Sequence, residues 1–169
     1  MQSYILTAFG ADKPGLVSTL SGLIENNGGN IEESKMVKMG NQFVMIILIS
    51  LSNLEAMNLK LNLNKNINLQ AQIIQTKKLD NEKISHFKKL KLSGADNEGI
   101  VHSLTKKLAT YNINIIELET FIDLAPISAT PLFNLNALIK LPKNLDENQL
   151  IDILDKHSKK LGIDIRLVN

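Results

Sequence analysis

Apolar positions along this chain follow two rhythms in a fixed order, and the order runs twice. Leu16, Val17, Leu20, Leu23 and Ile24 fall at i, i+1, i+4, i+7 and i+8, the stripe of a helix that lays one face on a core. Ahead of it, Ser3–Phe9 reads as a short strand, with Asp12 placed as a helix cap, Pro14 in the first turn, and Asn27-Gly28-Gly29 as the stop. Asn30–Met39 and Gln42–Leu51 are strand-like runs joined at Gly40-Asn41, a pair suited to a tight hairpin. A weak, Asn-rich helix over Asn53–Asn64 and a strand over Ile67–Thr76 complete the series.

The series then repeats. A strand is predicted over His86–Ser93, and a helix over Glu98–Tyr111 with Ile100, Val101, Leu104 and Leu108 inward. Strands over Asn114–Phe121 and Leu132–Leu141, a helix over Asp146–Leu161 and a strand over Ile163–Val168 follow. The phrase GADKPGLV, Gly10 to Val17, returns as GADNEGIV, Gly94 to Val101, at an offset of 84 residues. That offset also aligns Asn30-Ile31 with Asn114-Ile115 and Glu33 with Glu117 without a gap, as a duplicated domain would. Each half is strand–helix–strand–strand–helix–strand, which predicts an α+β fold of two ferredoxin-like βαββαβ domains, antiparallel sheets with helices on one face. The domains are expected at 1–80 and 84–169, joined by the polar segment Lys77–Lys83. The halves differ at DLAPISATP, Asp123 to Pro131, where Pro126 and Pro131 are expected to forbid regular pairing and leave an exposed loop for contact with another chain.

Composition narrows the function. No apolar run approaches the roughly 20 residues of a membrane helix, and the first residues lack a signal-peptide pattern, so no membrane role and a cytoplasmic location are expected. Cysteine is absent, which removes thiolate chemistry and cysteine metal sites. The net charge is +2, carried by 18 Lys and the single Arg166, so the planar fork that reads guanine and phosphate is nearly missing and no direct nucleic-acid contact is expected. Lys88, Lys89, Lys91, Lys106 and Lys107 would form a basic patch only if folding gathered them; a solvated face is the plainer reading. His86, His102 and His157 are scattered and make a poor metal case, and no acidic pair is tied to a nucleophile, so neither catalytic residues nor a cofactor are assigned.

The recurring phrase carries the chemistry. A strand that turns into a helix at Asp-x-x-Gly presents unpaired N–H groups at the positive end of the helix dipole, a setting for a small carboxylate. Phosphate fits less well, because neither copy has a GxGxxG or GxxxxGK[ST] pattern. The plain alternative makes Asp12 a cap, Gly15 a packing residue and Asn30 a turn residue after the two glycines.

The Asp-x-Pro-Gly-Leu-Val phrase, the amphipathic helix and the Gly-Gly-Asn-Ile or Asn-Ile-Asn-Ile lead into the next strand resemble the ACT domain, a regulatory module that binds amino acids. More narrowly, GGNIEESKM, INIIELET and APISATPLF resemble the glycine cleavage system transcriptional repressor family, which consists of two ACT domains. The resemblance implies a non-catalytic, amino-acid-sensing regulator that binds glycine or another small amino acid and acts by contact with a LysR-type transcription activator. It also implies a ligand held between a pair of domains, hence a homo-oligomer. The site residues it implies are Asp12, Lys13, Pro14, Gly15, Leu16, Asn30 and Ile31 in the first half, and Asp96, Gly99, Ile100 and Asn114 in the second. Glu98 stands where Pro14 stands in the first copy and sets a carboxylate in the expected first turn, which would repel an anionic ligand. Two rivals are weighed. A detached regulatory subunit of an amino-acid metabolic enzyme shares fold and ligand and differs in partner. An RNA-binding ferredoxin-like module needs sheet-face aromatics and an RNP-like strand, which this sequence lacks.

Overall fold

The computed structural model describes residues 1–66, 69–77, 86–125 and 129–168. The chain divides into two compact units, Met1–Asn81 and Glu82–Asn169. In the first, the elements are β1 (Gln2–Ala11), α1 (Leu16–Asn26), β2 (Asn30–Met39), β3 (Gln42–Leu51), α2 (Asn53–Asn66) and β4 (Gln70–Thr76). In the second they are β5 (Phe87–Ala95), α3 (Ile100–Thr110), β6 (Asn114–Leu124), β7 (Pro131–Lys140), α4 (Glu147–Leu161) and β8 (Asp164–Val168). The sheets have orders β2-β3-β1-β4 and β6-β7-β5-β8, with every pair antiparallel. This is the predicted ferredoxin-like order in both units.

Period-two alternation decides which sheet face is buried. In the first unit Tyr4, Leu6 and Ala8 of β1 and Met45, Ile47, Ile49 and Leu51 of β3 meet Leu20 and Ile24 of α1 and Ala56, Leu59 and Leu63 of α2. Val44 and Ile46 stand exposed on the opposite face of the same strand. In the second unit Leu90, Leu92, Leu135, Ala137 and Ile139 meet Ile100, Leu104 and Leu108 of α3 and Leu150 and Leu154 of α4. Each fully buried side chain of this kind contributes roughly 1.5–3 kcal/mol over its exposed state. Val17 and Val101, both expected inward, are 42% and 36% exposed, because each lies one step off the i, i+4 row of its helix.

The duplication extends below the level of elements. The β2–β3 ladder shifts register between Ile31 and Glu33, and the β6–β7 ladder shifts between Ile115 and Glu117. Phe43 lies opposite Gly10, and Phe133 lies opposite Gly94. After α1 the chain reverses through Gly28 at φ 74°; after α3 it does so through Asn112 at φ 54°, Asn being a residue that tolerates the left-handed region.

Several expectations need correction. Asp12 does not cap α1: Gly15 holds the N-cap position, and Pro14 precedes the helix instead of opening it. Glu98 likewise precedes the N-cap residue Gly99 and is outside the first turn of α3. Pro131 pairs with Leu124, and the Ala125 N–H donates to the Thr130 carbonyl at 2.9 Å, so most of Asp123–Pro131 extends the β6–β7 hairpin. Pro131 is tolerated as the first residue of its strand, beyond the end of the β5 ladder at Leu132. The rest of that insertion, 126–128, lies outside the described residues, as do 78–83 of the expected linker and 67–68 of the expected strand.

Candidate functional site

Four helix starts of similar sequence position divide into two kinds. At α4 the Asp146 carboxylate accepts from the Gln149 N–H at 2.8 Å, and the Gln149 side chain accepts from the Asp146 N–H at 3.1 Å. Ahead of α2 the Glu55 carboxylate accepts from the Ser52 N–H at 2.8 Å, and the Ser52 hydroxyl accepts from the Glu55 N–H at 3.3 Å. These reciprocal pairs are capping boxes that satisfy orphan donors from within the chain. The bonds from Ser52 hold the Glu55 carboxyl below its ordinary range. The starts of α1 and α3 have no side-chain cap. Their N-cap residues, Gly15 at φ 87° and Gly99 at φ 83°, are left-handed and carry no side chain to close the turn. A methyl group on either glycine would meet no atom within 4 Å, so the requirement is backbone conformation and not helix–sheet packing.

The α1 start opens on a cleft of about 550 Å³ lined by Asp12, Lys13, Gly15, Leu16, Val17 and Ser18, with Ser21 and Phe43 behind them. The Gly15 carbonyl accepts from the Thr19 N–H at 2.8 Å, and the Leu16 N–H makes a long 3.4 Å bond to the Lys13 carbonyl. The amides of the first turn precede the i→i−4 ladder and, with the helix dipole, favour an anion. Asp12 supplies the opposite sign at the cleft rim, where its carboxylate meets Lys38 Nζ at 2.7 Å and its N–H donates to the Asn41 carbonyl at 3.0 Å. A surface pair of this kind contributes about 0–1 kcal/mol, little enough for a competing ammonium to replace Lys38. Amides for a carboxylate and a carboxylate for an ammonium together suit a small zwitterion.

Of the residues expected at this site, the structure gathers Asp12, Lys13, Gly15 and Leu16 and leaves Asn30 and Ile31 elsewhere. Asp12 follows Ala11, which pairs with Gln42, whereas Asn30 pairs with Ser50 at the far end of β3. The run from Gln42 to Ser50 separates them by about 26 Å at a rise of about 3.3 Å per residue. In the second unit Ala95 pairs with Leu132 while Asn114 pairs with Lys140, so Asp96 and Asn114 also sit at opposite ends. Ile100 is buried in the core, and Asp96, Glu98 and Gly99 are exposed. Ser18, Ser21, Val17 and Phe43 were missed in the first cleft. The i, i+3 spacing of Ser18 and Ser21 from the N-cap was a readable sign of a polar flank; Phe43 enters through strand register, which no local pattern displays.

Lys88, Lys89, Lys91, Lys106 and Lys107 do not gather into one basic patch, in keeping with the plainer reading of solvated faces. Lys88 pairs with Glu147, Lys89 and Lys91 stand on the exposed side of β5, and Lys106 and Lys107 belong to α3. His157 is buried with its Nε2 3.3 Å from the Ser103 hydroxyl, and burial together with Lys107 and Lys160 lowers its pKa. No cluster of His, Asp and Glu suited to a metal ion occurs among the described residues, and no helix there is long and apolar enough to cross a membrane.

Residues 2–76 match the ACT domain family. The first unit is an ACT domain. The second unit repeats its strand order, so the chain is a tandem pair of ferredoxin-like units. The glycine cleavage system transcriptional repressor of Escherichia coli (strain K12) is 41% identical over 46 residues, which are 27% of this chain and 24% of that protein. The match thus spans about a quarter of that repressor's own length. A crystal structure of an unknown protein from Galdieria sulphuraria shares 28% identity at a TM-score of 0.85, covering 98% of this chain and 96% of that one. A structure described as a candidate glycine cleavage system transcriptional repressor shares 21% identity at a TM-score of 0.74, covering 99% and 96%, and supports the tandem fold alone.

Proposed function

We propose that this tandem ACT protein is a non-catalytic regulator that senses a small amino acid, glycine foremost, at the start of α1. It passes the signal on by protein–protein contact to a LysR-type transcription activator in the cytoplasm. The observation that carries the reading is the uncapped α1 start opening on a cleft with Asp12 at its rim. The ligand carboxylate takes the first-turn amides, and its ammonium takes Asp12 in place of Lys38. The similarity to the E. coli glycine cleavage system transcriptional repressor supports a regulatory role connected with glycine. Asn30 enters the site only from a second copy of the chain, since about 26 Å separates it from Asp12 within its own unit; the active form is therefore a homo-oligomer.

The corner at Asp96–Gly99 shares the uncapped helix and the left-handed glycine. Glu98, one residue ahead of the N-cap, brings a negative charge that weakens anion binding there. Calorimetric titration of the full chain against the twenty amino acids tests the reading. Binding of glycine, lost in Asp12→Asn, is expected; no binding of any amino acid would overturn it. Capture of a metabolic enzyme and not of a transcription activator would favour the detached regulatory subunit instead.

A further inference from the structure

The helix layer of the second unit holds a different kind of site. Lys106 and Lys107 of α3 face Lys156 and Lys160 of α4 across a cleft of about 610 Å³, with Ser103 and His157 at its floor. None of the four lysines has a carboxylate within 4.0 Å among the described residues. Lys107 lies 5.2 Å from the centre of the Tyr111 ring, a contact that orients its ammonium without neutralising it. Asp152 and Asp155 of α4 are exposed and do not line the cleft. Four like charges left unpaired around one concavity repel one another, a cost that a bound anion would reverse.

The lining selects among anions. It contains no leucine, isoleucine, phenylalanine or tyrosine, so it offers no groove for the apolar face of a peptide helix and no platform for stacking a base. Lysines act as point charges on phosphate, and Ser103 adds a hydroxyl. The volume falls in the range of small-molecule sites, about 300–1,000 Å³. We infer that the cleft between α3 and α4 binds a small molecule carrying two or more phosphate groups. The site lies in the second unit and is independent of the amino-acid corner in the first.

Inorganic pyrophosphate is the probe, titrated calorimetrically into the full chain at low salt, with inorganic phosphate in parallel. Pyrophosphate should bind about tenfold or more tightly than phosphate, since it engages twice the charge. Lys106→Gln/Lys160→Gln should weaken pyrophosphate by about tenfold or more, whereas Lys89→Gln/Lys91→Gln, an equal charge change on β5, should leave it within about twofold. The His157 imidazole, which His102, Lys106, Lys107, Lys156 and Lys160 surround with positive or titratable groups, should titrate at higher pH with pyrophosphate bound. No pyrophosphate binding at millimolar concentration, or equal losses in the two double variants, would overturn the proposal. Tighter, Lys106-dependent binding of an acidic peptide or of a single-stranded RNA would overturn the assignment to a small phosphate compound.

Discussion

Replacing Ser18 with Asp should strengthen the fold and weaken ligand binding at once. Ser18 is the third residue of α1 after the N-cap Gly15, exposed, and part of the cleft wall. A carboxylate in an uncapped first turn gains about 0.3–1 kcal/mol from the dipole and the orphan amides. For a unit of this size that raises Tm by about 1–8 °C. The same carboxylate faces the ligand's. At a separation of about 6 Å, and an effective dielectric between about 80 and about 20, the repulsion is between about 0.7 and about 3 kcal/mol. Affinity for glycine should therefore fall between about threefold and about a hundredfold. Differential scanning fluorimetry and calorimetric titration on one preparation read both effects, and Ser18→Asn, similar in shape and neutral, should move neither far. A Ser18→Asp protein that gains stability but binds glycine like the wild type would show that the ligand lies elsewhere. Loss of both stability and binding would show that the turn is already closed by a group other than a ligand.

Gly94→Ala should cost about 1–3 kcal/mol by overpacking, since the new methyl would lie 2.5 Å from Ile163 Cγ2; Ile163→Ala should offset part of it in a double-mutant cycle, and additive losses would contradict the contact. Asn30→Ala should weaken amino-acid binding only in the oligomer, and Asn114→Ala should do little; calorimetry above and below the dissociation concentration, with size measured by light scattering, separates the cases, and a loss confined to Asn114→Ala would move the site to the second unit. The Glu55 carboxyl is held below its ordinary 4.5 by Ser52, so its contribution is present above that value and is lost as pH falls through the lower folded-state pKa. The Tm gap between wild type and Glu55→Gln should therefore shrink on acidification, and a gap independent of pH would refute the cap.

Much of the fold was written in local pattern. The β2 and β3 boundaries follow from strand-like runs that meet at Gly40-Asn41, and α4 begins one residue after Asp146, where the helix is expected to open. The helix starts at Gly15 and Gly99 were misplaced because Asp12 resembles a cap and Glu98 an opening first turn, while the structure uses glycine for its left-handed φ. That choice depends on how β1 delivers the chain to the turn, which is a tertiary matter. Half of the candidate site was legible: the residues from Asp12 to Leu16 are contiguous and share a corner whatever the register. Asn30 was grouped with them through a resemblance, and only the antiparallel ladder shows that it sits at the other end of the sheet. The hairpin reaching Pro131 was hidden by treating proline as a breaker without knowing which side of the strand lacked a partner.

If the proposed amino acid binds at Gly15, the contrast between self-capped and uncapped helices makes the stability of the first unit depend on solute. Where Ser52 and Asp146 close their own turns, nothing dissolved in the medium adds to them. On the proposed function, the ligand's carboxylate would supply the missing cap at Gly15, and by mass action a ligand at a hundred times its Kd would add about 2.7 kcal/mol to the folded state. On that reading a rise in amino-acid concentration would be converted into a stiffer β1–α1 corner, and the thermal melt of this unit would become a gauge of its ligand.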